Sequence, residues 1–187
     1  MSTSGLNSIE KRAAFSLATV FGLRMLGLFM ILPVFAIYGV ELEGYSPIWL
    51  GLAIGAYGLT QALLQIPMGM LSDKFGRKPI ILMGLVVFCI GSIIAATSDT
   101  IYGVVAGRAI QGMGAIASAI LALAADVSRE EQRPKVMATI GMFIGLSFTL
   151  AMVIGPIVAE SFGLSGLFWL TAGLTVLGML MIQFVVP

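Results

Sequence analysis

The stretch Gly69-Met70-Leu71-Ser72-Asp73-Lys74-Phe75-Gly76-Arg77-Lys78-Pro79 places four charges in eleven residues, in a chain where charged residues make up 10% of the whole. Around it the sequence is apolar. Of the 187 residues, 59% are hydrophobic, and the mean hydropathy is +1.06. Soluble domains do not reach such values, so the chain reads as a membrane protein and this segment as one of its few polar connections.

About 20 apolar helical residues cross a hydrocarbon core ~30 Å thick. Six runs of that kind follow one another at about 13–37, 48–71, 79–97, 101–125, 136–158 and 164–186. The expected fold class is therefore an all-α membrane protein with six transmembrane helices and the lipid bilayer as its main partner. The first run follows Glu10, Lys11 and Arg12, is too long for a signal-peptide core and precedes no small-residue cleavage pattern, so it is expected to stay attached. The single Cys89 lies inside the third run and permits no internal disulfide.

Charge placement sets the expected topology. Lys11 and Arg12 precede the first span, Lys74, Arg77 and Lys78 lie between the second and third, and Arg129, Arg133 and Lys135 between the fourth and fifth, which accounts for eight of the ten basic residues. The opposite connections hold Glu41, Glu43, Asp99 and Glu160 with no Lys or Arg. The positive-inside rule then puts both ends of the chain in the cytoplasm, as for a multi-pass protein of a bacterial plasma membrane. Trp49, Trp169, Tyr38, Tyr45 and Tyr102 fall near the outer interface as an aromatic belt.

In the opening stretch the second helix is expected to end near Leu71, leaving Ser72 to Lys78 as a tight connection. Gly76 is free to take positive φ, and Pro79 suits the start of the third helix. If the helix continues past Leu71, Gly69 and Asp73 share one face. The glycine then lets another helix approach, and the carboxylate beside it can meet that helix's positive end or a basic side chain. The alternative for Lys74, Arg77 and Lys78 is a set of interfacial anchors on anionic lipid. Asp126 ends the fourth span and Arg133 precedes the fifth, at the level of Arg77, so an ion pair from Asp126 to Arg77 or to Arg133 is expected.

The spacing Gly69-x-Leu71-x-Asp73-x-x-Gly76-Arg77-Lys78 resembles the loop signature of the major facilitator superfamily of secondary transporters. Arg108-x-x-Gln111-Gly112-x-Gly114-Ala115 resembles its second signature. Leu26-Gly27 and Pro33-Val34 resemble the first-helix pattern of its drug/proton antiporters, and Arg24 ahead of Met25 brings the pattern nearest to YajR-type exporters. Ala151-x-x-x-Gly155-Pro156 is similar to the antiporter signature, with alanine where glycine is usual at 151 and Ala159-Glu160 where Gly-Gly is usual. Members of that superfamily have two six-helix halves around a substrate cavity. The resemblance implies that residues 1–187 are the N-terminal half, built as two inverted three-helix repeats. The second half would come from the same chain, a second copy or a separate subunit.

Charges within the membrane are costly and mark candidate sites. Arg24 lies about 15 Å above the inner face and Arg108 about 10 Å below the outer one, counting ~1.5 Å per helical residue. The resemblance puts both on the central cavity; for Arg108 the alternative is a clamp on first-helix carbonyls. No Asp, Glu or His shares their depth, so their counter-charge is expected from an acidic group outside these residues, an anionic substrate, or water and carbonyls. Tyr57, Gln61 and Gln65 repeat every four residues, and Arg108, Gln111 and Ser118 follow three-and-four spacing, so each set lines one helix face. These faces fit walls of a substrate cavity or hydrogen bonds between packed helices. Gly155-Pro156 softens the fifth span and is the candidate hinge.

The expected activity is secondary transport by alternating access, with a small-molecule substrate and the proton as coupling ion, probed against a non-transporting scaffold as the other reading. Since Arg keeps its proton, the titrating group is expected outside these residues. An intramembrane serine protease would need a base beside Ser92 or Ser147, and the chain has no histidine. No enzyme activity, cofactor or metal is expected. No nucleotide-binding glycine loop is present, and the basic residues lie in short loops at lipid headgroups, so no nucleic-acid partner is expected.

Overall fold

The computed structural model describes residues 5–187, and these fold almost wholly as helix. The order is α1 (Ser8–Tyr38), a 3-10 turn (Gly39–Glu41), α2 (Pro47–Phe75), α3 (Arg77–Ala96), α4 (Ile101–Met113), α5 (Ala117–Asp126), a second 3-10 turn (Glu130–Gln132) and α6 (Arg133–Phe184). Counting α4 with α5 as one segment, five helical segments are long and apolar enough to cross a membrane. The sixth expected span lies within α6. At ~1.5 Å per residue, a straight helix of 52 residues would run about 78 Å, more than twice a hydrocarbon core. The backbone avoids this at Gly163, whose φ of 66° and ψ of −168° are non-helical and favour glycine.

Contacts with α1 give the direction of each part of α6. Gly22 faces Ser147, and Met30 faces Gly155, so residues 133–162 run parallel to α1. Gly27 faces Thr171, and Val20 faces Gly178, so residues 164–184 run antiparallel to it. The chain therefore reverses at one residue, where the sequence reading placed a connection from 159 to 163.

Three further boundaries depart from expectation. α1 begins before residue 13, because Asn7 accepts from the Glu10 N–H while its own N–H donates to the Glu10 carboxylate, a reciprocal cap at a helix start. α2 does not stop near Leu71 but runs to Phe75, so the connection to α3 shrinks to Gly76 at φ 96°. Pro79 sits in the first turn of α3, where its missing N–H costs no helical bond. Last, the span expected at 101–125 is two helices, interrupted at Gly114–Ile116. Gly114 has φ −76° and ψ 46°, and a Cβ there would collide with the Gly84 carbonyl of α3.

The apolar interior forms two main clusters. One, toward the charged ends of the helices, gathers Leu17, Leu85, Ile116 and Ile120; the other gathers Met30, Phe35, Val104 and Phe168 toward the opposite ends. The polar groups described next lie between them.

Candidate functional site

A layer of buried polar side chains joins α1, α2, α3 and α4. Ser92 Oγ donates to the Phe88 carbonyl (2.9 Å), and Gln111 Nε2 donates to Ser92 Oγ (2.7 Å). Arg108 Nη1 donates to Gln111 Oε1 (2.8 Å) and its Nε to the Ala53 carbonyl of α2 (3.3 Å). Its guanidinium also lies 4.8 Å from the Tyr57 ring centre, a cation–π distance. The clamp weighed for Arg108 thus exists, but on α2 rather than on the first helix.

Arg24 from α1 enters the same layer with fewer partners. Its Nη2 donates to the Gly114 carbonyl (3.0 Å), an acceptor freed by the break between α4 and α5, and has a long contact to Gln61 Oε1 (3.5 Å). The guanidinium sits 4.9 Å from the Phe88 ring centre. Arg24 Nε and Nη1 and Tyr57 Oη are buried with no hydrogen-bond partner. Carboxylates of the described residues all lie toward helix ends or in connections, so neither guanidinium meets a counter-ion here.

Exposure separates this layer from an open wall. Arg24 is 1% exposed, Arg108 2% and Gln111 0%. These side chains lie inside the bundle, whereas Gln61, Gln65 and Ser118 are half-buried. Ser118 Oγ donates to the Gln65 carbonyl (2.9 Å) and packs beside Gly69, clasping α5 to α2. The structure therefore brings Arg24 and Gln61 to the break ahead of α5, and puts Arg108 and Gln111 in a hydrogen-bonded chain toward Ser92, with the Tyr57 ring between Arg108 and Phe88.

The second constellation gathers at the basic ends of the helices. Arg77 pairs with Asp73 one turn earlier, bonds Asp126 Oδ2 through Nε (3.0 Å) and donates from Nη1 to Ser72 Oγ (2.7 Å). One guanidinium thus ties the end of α2, the start of α3 and the end of α5. Arg133 does not take Asp126; its Nε donates to the Ala125 carbonyl (3.2 Å), and it lies 3.7 Å from Glu130. Lys78 Nζ donates to the Val186 carbonyl (2.6 Å) and Arg12 Nε to the Val185 carbonyl (2.8 Å), so two cations hold the carbonyl end of α6, where the helix dipole favours them.

Sequence reasoning missed a further pair. The Glu10 carboxylate, 1% exposed, accepts from the Arg129 backbone N–H (3.0 Å), Nε (2.9 Å) and Nη2 (2.9 Å). Hydrogen bonding to Glu10 raises the Arg129 pKa above its ordinary value. The signal was present in Asn7-x-x-Glu10, a capping spacing that fixes the carboxylate at a helix start; its distant partner had no local mark. The candidate hinge Gly155-Pro156 stays helical, and a Cβ on Gly155 would lie 2.8 Å from the Met30 carbonyl. A cavity of about 310 Å³ opens instead at the end of the bundle opposite Arg77, beside Glu41, Asp99, Gly163 and Ser165.

Residues 17–187 match the model of the Major Facilitator Superfamily, and the chain belongs to that family. It is 54% identical over 178 residues to the inner membrane transport protein YajR of Escherichia coli strain K12, covering 95% of this chain and 39% of that protein. The quinolone resistance protein NorA of Staphylococcus aureus is 32% identical over 137 residues, covering 72% of this chain and 35% of its own. Among solved structures, the human organic anion transporter MFSD10 (TETRAN) superposes with a TM-score of 0.83 at 23% identity, over 97% of this chain and 48% of that one. The chain spans about half the length of the relatives it matches or less. With its apolar helices, this makes it a multi-pass membrane protein of a transporter family.

Proposed function

We propose that these residues are the N-terminal six-helix half of a secondary active transporter, a proton-coupled efflux carrier for small molecules working by alternating access. In this reading α4 with α5 forms one span and α6 forms two, so that two inverted three-helix repeats make up the bundle. Both ends lie in the cytoplasm of a bacterial inner membrane, and a second six-helix half closes the substrate cavity. Gln61, Gln65 and Tyr57 face that cavity, and the proton carrier lies in the other half.

The observation that carries this reading is the Arg77 junction. Three elements meet on one guanidinium through partners that are partly exposed, Asp73 at 63% and Asp126 at 54%. A junction of that kind makes and breaks at modest cost, as a latch on the cytoplasmic face requires. Gly69, Gly76, Lys78 and Arg133 shape the same face.

The test is flux. The protein made from its native gene, reconstituted in vesicles with an imposed proton gradient, is expected to move an amphipathic dye in proportion to the gradient. Asp126→Arg is expected to abolish that flux while the protein stays folded. The deep burial of Arg24, Arg108 and Gln111 favours a second reading, a non-transporting membrane scaffold. Gradient-independent dye distribution across a panel of dyes, with an intact fold, would select it.

A further inference from the structure

Burying a guanidinium without an acid is expensive, and carbonyls recover only part of the loss. Arg108 recovers more, with two hydrogen bonds and an aromatic face. Arg24 also lies over an aromatic ring, Phe88, but has one good hydrogen bond, to the Gly114 carbonyl, and a long one to Gln61, while Nε and Nη1 have no hydrogen-bond partner. A native interior keeps so poorly satisfied a cation when something else completes it.

The backbone beside Arg24 points to the sign of that something. The break at Gly114–Ile116 starts a new helix in the middle of a span, and α5 runs ten residues from it. Its N-cap, Ile116, has no side chain to offer the first N–H groups, which have no partner within the helix. The Ser118 hydroxyl is turned to the Gln65 carbonyl and leaves them uncovered. The opposing end of α4 is better covered, since the Gly114 N–H donates to the Gln111 carbonyl and Arg24 takes the Gly114 carbonyl. What remains is a positive helix end, two guanidinium nitrogens without a hydrogen-bond partner and the unpartnered Tyr57 hydroxyl; Arg24 and Tyr57 both touch the Phe88 ring, the guanidinium 4.9 Å from its centre and the Tyr57 ring edge-on with centres 6.5 Å apart.

We propose that the break between α4 and α5, with Arg24 and Tyr57, is a mid-membrane receptor for the carboxylate of a small amphipathic anion. A carboxylate fits because one of its oxygens accepts from an unpartnered guanidinium nitrogen of Arg24 while the other caps the α5 N–H groups as an acidic N-cap would. Half-buried Gln61, at the long end of its contact with Arg24, is the side chain that moves aside to admit it. The inference deepens the transport reading by naming a substrate class, and it rests on that reading only for delivery of the anion from one side of the membrane.

The experiment uses the protein made from its native gene, in detergent at constant ionic strength, with radiolabelled hexanoate as probe and hexanamide as its uncharged equivalent. Saturable hexanoate binding is expected, with hexanamide failing to compete. Arg24→Gln is expected to weaken binding about tenfold or more, the scale of a lost hydrogen bond to a charged group. Tyr57→Phe removes a hydroxyl that has no partner in the fold, so it keeps the protein intact and is expected to weaken binding several-fold. Equal binding of hexanamide, no saturable hexanoate binding, or wild-type affinity in both variants would overturn the proposal. The second of these results is also what an acidic side chain of the protein's other half, already seated on Arg24, would give. Binding through Arg24 without dye flux would refute the transport reading and leave this one standing; gradient-driven flux with charge-blind binding would do the reverse.

Discussion

Gly107→Ala is the sharpest test of how α3 and α4 are held. A Cβ on Gly107 would lie 2.7 Å from the Ala95 backbone N, 2.7 Å from the Gly91 carbonyl and 2.8 Å from the Ala95 Cβ. Ordinary contact begins near 3.4 Å, so the two helices must part by about 0.7 Å, and two of the three opposing atoms are backbone that no rotamer change can withdraw. The parting also strains the Gln111–Ser92 bond, which crosses the same interface at 2.7 Å. Overpacking of this kind costs about 1–3 kcal/mol, which places the melting temperature roughly 2–12 °C below that of a helical Gly→Ala change without a clash, at ~2–4 °C per kcal/mol. Thermal unfolding of the full protein in detergent reads it directly. Gly173→Ala is the control: no heavy atom lies within 4 Å of the added methyl, and the helix gains up to about 1 kcal/mol. Gly91→Ala, on the facing helix, is expected to cost a similar amount, and the double variant less than the sum, because the helices part only once. A Gly107→Ala protein melting within about 1 °C of Gly173→Ala would refute the reasoning.

The remaining predictions concern the charged ends of the helices. Asp126→Asn removes the Nε partner of Arg77, but the carboxylate is 54% exposed, so stability is expected to fall by no more than about 1 kcal/mol while dye flux drops. A variant with unchanged flux would count against the latch. Glu10→Gln is expected to lower the melting temperature further than Asp126→Asn, since it disturbs three bonds from Arg129 and one from the Asn7 N–H in a site 1% exposed; the opposite ranking would contradict the burial argument. Arg12→Ala with Lys78→Ala frees the carbonyls of Val185 and Val186. The amides of these two residues, which bond the Met181 carbonyl, should then exchange with solvent faster, and unaltered protection would show that the cations do not hold the helix end.

What the sequence determined by itself was whatever depends on transfer of residues between water and lipid. Apolar runs of span length, basic residues in alternate connections and the Gly69 to Lys78 signature are local patterns, and each reports a local free energy. That Asp126 pairs with Arg77 or Arg133 was legible for the same reason, because these charges stand at helix ends on one side; the fold selected Arg77. Hydropathy is blind to backbone dihedrals, so the reversal within α6 was placed across 159–163 when it turns on Gly163 alone. Gly114-Ala115-Ile116 is as apolar as its surroundings, and nothing local marks it as a break. Its cause lies thirty residues upstream in Gly84, whose backbone Gly114 must approach, and ninety residues upstream in Arg24, which takes the freed carbonyl. The family resemblance put Arg24 and Arg108 on one central cavity, with a clamp on first-helix carbonyls as the alternative for Arg108. Only the tertiary structure decided that one is nearly satisfied and the other is not, because a hydrogen bond depends on which distant carbonyl the fold brings within 3 Å.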